Sequence, residues 1–212
     1  MATCPKCSTR KAKRYCPALA QQICAVCCAE LRMIELACPE HCQYLRDARA
    51  TTIERRTERL VQHLMDQGKE ELIETLRQFE QAIYLIDRAI VEIQRYTFRD
   101  LTDSEVLEGV SNALKTYETL DRGVIYTHKA ESPRIQAVTD AILRALDGIK
   151  ADLQKQARSS LITTRDYLAC LRFVAEEVQS DMQPQEDPQA YLRYSALFHP
   201  YPEKETQVII TG

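Results

Sequence analysis

The chain has 212 residues, enough for a small module joined to one larger domain. Hydrophobic residues make up 45% of it and charged residues 28%, which permits a buried core, while only 5 glycines argue against phosphate-binding loops and most α/β enzyme architectures. No run of about 18 apolar residues is present, which excludes a membrane-spanning helix, and the first residues contain no apolar signal-peptide stretch. We therefore expect a cytoplasmic protein that does not enter the membrane.

Charge and periodicity divide the chain into segments. The first 62 residues carry 11 Lys and Arg against 6 Asp and Glu, a net charge of +5, and because the whole chain carries −3, the remainder carries −8. An aperiodic, cysteine-rich start is followed by long runs with helical spacing and then by a Pro-rich tail. We predict a zinc-binding module at residues 1–43, a helical bundle at 44–182 and a Pro- and aromatic-rich tail at 183–212.

Eight of the nine cysteines lie within the first 42 residues. In a reducing compartment, clustered thiols bind metal more often than they form disulfides. Two pairs have C-x-x-C spacing, which lets the chain turn tightly enough for both sulfurs to reach one ion at about 2.3 Å. Zinc is the predicted metal, with an iron–sulfur cluster and a disulfide module as alternatives. The candidate ligands are Cys4, Cys7, Cys16, Cys24, Cys27, Cys28, Cys38 and Cys42, with His41 beside them.

The spacing of these ligands resembles the small cross-brace zinc fingers of the HIT and B-box type. The resemblance covers the first 40 or so residues and does not reach the helices. It implies two interleaved zinc ions, the first held by the two C-x-x-C pairs. The residues that carry it are Cys4-x-x-Cys7, Tyr15-Cys16-Pro17, Cys24-x-x-Cys27, and Cys38 with His41 and Cys42.

The second site departs from this pattern at one position. Such fingers place a ligand three residues after Cys16, where this chain has Leu19, and a leucine cannot bind metal. Cys28 can supply the missing thiolate; otherwise Cys28 is a small buried hydrophobe. The resemblance then implies a second site of Cys16, Cys28, Cys38 and Cys42, with His41 as the alternative to Cys42.

Beyond residue 43 the apolar residues recur at helical spacing. Between Leu72 and Ile93 the apolar residues are spaced alternately four and three positions apart, which is a heptad seam. Each helical run also has a charged face opposite its apolar stripe. Such helices bury their stripes against one another, so we predict a mainly α fold with an antiparallel bundle of about five helices. The predicted helices span residues 42–66, 69–98, 102–124, 132–153 and 164–181, with a short sixth after Pro188.

The tail carries four aromatic residues and ends in a β-branched run, too much apolar surface to stay solvated without cost. We expect residues 191–210 to be ordered, either on their own bundle or across a homodimer. The residues concerned are Tyr191, Tyr194, Phe198, Tyr201 and the run Val208-Ile209-Ile210.

No set of residues typical of catalysis can be identified, so we expect a non-enzymatic zinc protein that acts as an interaction or adaptor protein with a protein partner, and with a homodimer as an option. The alternative is a nucleic-acid-associated regulator that uses the basic run of Arg10, Lys11, Lys13 and Arg14. Four apolar residues of the module are either the anchors for a partner or the module's own core. They are Leu31, Met33, Ile34 and Leu36.

Overall fold

The computed structural model describes residues 2–155 and 162–199. It confirms a mostly helical protein with a small N-terminal cysteine-rich region. The chain divides into two compact units, Met1–Arg56 and Thr57–Gly212. No helix in the described ranges is long and apolar enough to cross a membrane. The elements are β1 (Arg14–Cys16), β2 (Gln21–Ile23), α1 (Ala25–Glu30), α2 (Gln43–Asp66), α3 (Glu70–Tyr96), α4 (Asp103–Asp121), α5 (Pro133–Lys155), α6 (Thr164–Asp181) and α7 (Ala190–Phe198).

The helix boundaries follow local signals in the sequence. Thr102 and Glu105 form the capping box at the start of α4, with each side chain bonded to the other's backbone amide. Helix α4 ends at Asp121 rather than at 124, because Gly123 adopts a φ of +80° and closes the C-terminus. Helix α1 was not predicted, since six residues are too few to show a helical period. Helix α3 is kinked at Phe79, whose φ of −123° and ψ of 26° are not helical.

The first unit is organised by a short hairpin. Strands β1 and β2 pair antiparallel, with Tyr15 opposite Gln22. Two apolar side chains, Ile23 and Leu36, are almost completely buried among the cysteines. An apolar core this small supplies little folding free energy by itself.

The second unit is a bundle whose central helices are α3, α4, α5 and α6. Helices α3 and α4 each pack against both α5 and α6. Their apolar stripes meet in one continuous core. The fully buried members of this core are Leu64, Ile86, Ile90, Leu101, Val106, Val110, Ala113, Val138, Ile142, Leu146, Cys170, Leu171, Val174, Val178 and Tyr191.

The directions of the helices depend on the connection between α4 and α5. Arg134, near the start of α5, pairs with Glu105, near the start of α4, at 2.6 Å, so these two neighbours run parallel. They do so because residues 124–131 return along α4, where the His128 amide donates to Thr116 Oγ1 at 3.0 Å. Neighbouring α4 and α6 are antiparallel, as Asp121 at the end of α4 lies 3.7 Å from Arg165 at the start of α6. The sequence-based expectation of an antiparallel bundle therefore fits this second pair but not the first.

Helix α7 is fixed by a carboxylate from α4. The Tyr191 and Leu192 amides donate to the two Asp103 oxygens at 2.9 and 3.2 Å, and the Tyr191 hydroxyl donates to Asp87 at 2.8 Å. Asp103 thus acts as a helix cap supplied from a different part of the chain. The predicted short helix after Pro188 is confirmed, and Tyr191 is completely buried. The predicted ordering of Tyr201 and Val208-Ile209-Ile210 lies outside the described residues.

We expect the buried Asp103 to make stability depend on pH. Burial, reinforced by the nearby Asp187 and Asp181 carboxylates, raises the pKa of Asp103 to about 6 against the opposing hydrogen bonds from the Tyr191 and Leu192 amides. A raised folded-state pKa means that the folded chain binds the proton more tightly, so this contribution is complete at low pH and is lost as pH rises through about 6.

The measurement is urea unfolding of the wild type and of Asp103→Asn between about pH 7 and about pH 5. The wild-type free energy of unfolding should rise relative to the variant as pH falls. His199, whose pKa burial lowers to about 4, is present in both proteins, so the subtraction removes its contribution. A difference that stays constant or shrinks with falling pH contradicts the assignment.

Two glycines in neighbouring helices should respond oppositely to alanine. A Cβ at Gly109 in α4 would lie 2.6 Å from Val138 Cγ1, whereas a Cβ at Gly148 in α5 would meet nothing within 4 Å. We expect Gly109→Ala to destabilise the bundle by about 1–3 kcal/mol through overpacking. Gly148→Ala should stabilise it by about 0.5–1 kcal/mol through helix propensity. Chemical unfolding of both variants measures this, and a same-sign result contradicts the α4–α5 packing.

Candidate metal centre

The first cysteine pair lies in a tight turn. The Cys4 amide donates to the Arg10 carbonyl and the Ser8 amide donates to the Cys4 carbonyl, both at 2.8 Å. Ser8 has a φ of +54°, a left-handed conformation that residues other than glycine adopt rarely. The chain therefore reverses immediately after Cys7, and the turn carries both thiols.

The second cysteine pair lies at the junction of the hairpin and the first helix. Strand β2 leads into Cys24, which is the N-cap of α1, and its Sγ accepts a hydrogen bond from the Cys27 amide at 3.3 Å. The first turn of α1 thereby places Cys27 beside Cys24. A thiolate at a helix N-cap is stabilised by the amides that point towards it.

The two pairs converge on one point. The Sγ atoms of Cys4, Cys7, Cys24 and Cys27 all lie within 4.8 Å of one another. Cys7 is half-buried and the other three are buried. The Sγ atoms of Cys7 and Cys24 are 3.9 Å apart, far longer than a disulfide bond of about 2.05 Å. These four cysteines form a group that can hold a metal ion.

The polar groups around the thiols favour thiolates. Hydrogen bonds from the Thr9 side chain, the Thr9 amide and the Arg10 amide lower the pKa of Cys7 to about 5. Burial opposes ionisation of Cys4, but hydrogen bonds from the Cys24, Cys7 and Lys6 backbones outweigh it and lower its pKa.

The pKa of the Cys27 thiol shifts in the opposite direction. Burial, followed by the neighbouring thiols, raises the pKa of Cys27 to about 12. Four thiolates cannot share one small volume without a compensating cation. A bound metal ion supplies that charge and takes the place of the thiol protons, so the donor set fits a divalent cation.

Arg10 belongs to this site, although the sequence indicated only a surface role. A hydrogen bond to Cys24 raises the pKa of the Arg10 guanidinium, and the charge of Cys7 contributes further. This places a fixed positive charge beside the thiolates. The basic run of residues 10–14 contained no signal that distinguished Arg10 from its neighbours.

The other four predicted ligands are not brought together in the same way. In the described part of the chain, no second group of three or more potential ligands converges as the first four do. Cys16 ends β1, Cys28 lies on α1 with its Sγ 3.9 Å from Arg32, Cys38 is half-buried and Cys42 is buried directly before α2. His41 is exposed. The second zinc site therefore stays a prediction.

The turn that follows Cys16 has a left-handed residue at the same place as the turn that carries Cys4 and Cys7. The Leu19 amide donates to the Cys16 carbonyl at 3.2 Å, and Ala20 has a φ of +51°, close to the value at Ser8. Leu19 takes the place that Cys7 has in the first turn, and it packs against the apolar cluster of the unit. An apolar side chain thus stands at the position where the first turn has a ligand.

Comparisons with known proteins leave the family open: the chain matches no protein-family model, no curated protein and no solved structure.

We expect the metal count to separate one site from two. Cys24→Ser removes a ligand of the four-thiol group and should release one metal ion per chain, while the helical signal of the bundle persists. Cys38→Ser lies outside the group and is the matched control. Native mass spectrometry of both variants makes the measurement.

The metal contents of the two variants distinguish one site from two. Release of an ion by Cys24→Ser alone indicates a single site. Release of a different ion by Cys38→Ser indicates the predicted second site as well. A Cys24→Ser protein that keeps the full metal content of the wild type contradicts the assignment of the group.

Proposed function

We propose that Cys4, Cys7, Cys24 and Cys27 hold a structural zinc ion. Zinc binds four thiolates at about 2.3 Å in a tetrahedron, whose edges are then about 3.8 Å long. The 3.9 Å between the Cys7 and Cys24 sulfurs matches this edge and is the observation that supports zinc best. We further propose the second zinc ion and the relationship to HIT and B-box fingers that the sequence predicts.

A site of this composition favours a structural role. Four thiolates complete the coordination of zinc and leave no position for a reactive water, so the ion would hold the chain rather than activate a substrate. We therefore propose a protein without enzymatic activity. A site built from free thiols also requires a reducing compartment, which supports the proposed location in the cytoplasm.

The zinc-binding unit carries a short apolar projection that fits an interaction role. The projection is formed by residues 31–36, which include four apolar side chains. Leu36 is buried and Leu31 is half-buried, whereas Met33 is 56% exposed and Ile34 is 82% exposed. The first two therefore belong to the core of the unit. The last two, which we call the Met33–Ile34 tip, are free to anchor a partner.

The tip is held by its own backbone. The amides of Ile34 and Leu36 donate to the Leu31 carbonyl at 3.2 and 2.9 Å, and the Met33 amide donates to the Leu36 carbonyl at 3.0 Å. Met33 adopts a φ of +58°, a conformation that costs about 1 kcal/mol for a side-chain-bearing residue. A fixed apolar tip loses little conformational entropy when it binds, which supports recognition of a protein partner.

The alternative function, nucleic-acid binding, is less well supported because several basic side chains already have partners in this unit. The Arg10 guanidinium interacts with the thiol of Cys24, the Arg14 guanidinium lies 4.7 Å from the centre of the Tyr44 ring, and Arg49 forms an ion pair with Glu40. These cations contribute less to phosphate binding than their number suggests. We therefore favour a protein partner.

Substitution of the tip tests this proposal. Ile34→Asp replaces the most exposed apolar side chain of the tip, and Met33→Gly removes the other while relieving its left-handed backbone. We expect both variants to keep their metal ion and to lose a partner that cross-links to the wild-type tip in extract of the native host. Quantitative cross-linking with mass spectrometry measures that loss.

Two further outcomes decide between the candidates. Ile125→Asp, which makes the same substitution at an exposed isoleucine of the second unit, is the matched control and should retain the partner. If Ile34→Asp retains the partner as well, the tip is not the interaction surface. Salt-sensitive binding of single- or double-stranded nucleic acid that is lost on Arg10, Lys11, Lys13 and Arg14→Ala would replace the adaptor proposal with the alternative.

A further inference from the structure

A groove runs between α3 and α5 on the surface of the bundle, and we call it the α3–α5 groove. It has a volume of about 540 Å³. Several of the apolar side chains that line it are only half-buried, so they lack packing neighbours on the side that faces the groove. These residues are Leu85, Ala89 and Ile93 of α3 with Ala145 and Ile149 of α5.

The groove is open because α5 contributes small residues to it. Ala141, Ala145 and Gly148 all line it. A Cβ built on Gly148 would meet nothing within 4 Å, so the part of the chain that the structure describes leaves this space unfilled. Protein interiors are otherwise packed closely, and the groove therefore has room for further side chains.

The described part of the chain ends at the rim of this groove. The ring of His199, the last described residue, lies 4.4 Å from the Tyr84 ring of α3. Burial and then the guanidiniums of Arg95 and Arg88 lower the pKa of His199 to about 4, and the Glu92 carboxylate opposes them. Arg88 and Glu92 both line the groove, so the residues that follow His199 begin near its edge.

We propose that residues 200–212 bind in the α3–α5 groove of their own chain, with the apolar run Val208-Ile209-Ile210 against its half-buried side chains. The run begins nine residues after His199, a stretch that spans at most about 30 Å. The groove follows α3 from Leu85 to Thr97, which is about 18 Å. The run is therefore long enough in its connection to reach every part of the groove.

Covalent attachment favours this segment over a separate molecule. A tethered segment is present at an effective concentration on the order of 1 mM, so its binding needs only a modest affinity. Three apolar side chains are enough under that condition. A separate protein needs about 20–30 residues a side for a stable interface, more than the groove offers.

The polar residues before the apolar run complement a charge on the groove. Arg144 lines the groove and forms no ion pair with any residue that the structure describes. Glu203 and Glu205 precede the run, with Lys204 between them. A carboxylate from this stretch can pair with Arg144 and orient the segment, although an exposed pair adds little to its affinity.

Photo-crosslinking in the full chain tests the proposal. p-Benzoylphenylalanine in place of Thr211 stands next to the apolar run and leaves it intact. On irradiation it should join the segment to residues 85–97 of α3 or 141–152 of α5, as identified by mass spectrometry of the digested protein. The crosslinked product should have the mass of one chain, because the proposed contact is intramolecular.

Two pairs of variants locate the contact. Ile209→Asp should lower the crosslinking yield at least about fivefold, because a carboxylate is not buried against apolar side chains without cost, whereas Thr206→Asp adds the same charge outside the run and should not. Gly148→Phe fills the groove at a position with free space and should also lower the yield. Ala151→Phe, at an exposed position of α5 outside the groove, is its matched control. All four proteins should keep the helical circular dichroism of the parent.

Three results would overturn the proposal. Crosslinks that join two chains would assign the run to a second copy, and crosslinks to other parts of the bundle would assign it to another surface. A yield that neither Ile209→Asp nor Gly148→Phe lowers would show that the run does not bind in the groove. These outcomes are independent of the zinc and partner tests.

Discussion

The convergence of four cysteine sulfurs is the constraint on which the first unit depends. Its apolar core is small, so little hydrophobic burial is available to hold a turn, a hairpin and a six-residue helix together. Cys4 and Cys7 come from the turn, while Cys24 and Cys27 come from the start of α1. A cation shared by these thiolates would connect both parts at once and contribute on the order of 10 kcal/mol to folding.

The second unit is stabilised differently, by a continuous apolar core and a few buried polar contacts. Asp103 shows how such a contact determines architecture, because it caps α7 from α4 and so places Tyr191 in the core. The first unit, by contrast, exposes the Met33–Ile34 tip, the surface that we propose for a protein partner.

The sequence was sufficient for the helices of the bundle and for the first cysteine group, because both depend on local patterns. Stripe periodicity and the Thr102 capping box locate helix boundaries, and two C-x-x-C pairs identify the first four ligands. The sequence was insufficient where contacts between residues distant in the chain determine the structure. The path of residues 124–131, which makes α4 and α5 parallel, depends on the contacts of His128 with Thr116 and Thr119. The role of Arg10 likewise depends on its position beside Cys24 and not on its place in a basic run.

The element bound by the four cysteines and the atoms around it decide whether this group is a structural zinc site. X-ray absorption spectroscopy of the purified protein reports both the element and its neighbours. We expect zinc with four sulfur neighbours at about 2.3 Å. An iron absorption edge, or zinc whose first shell is dominated by nitrogen or oxygen at about 2.0–2.2 Å, would contradict the assignment of Cys4, Cys7, Cys24 and Cys27 as a structural zinc site.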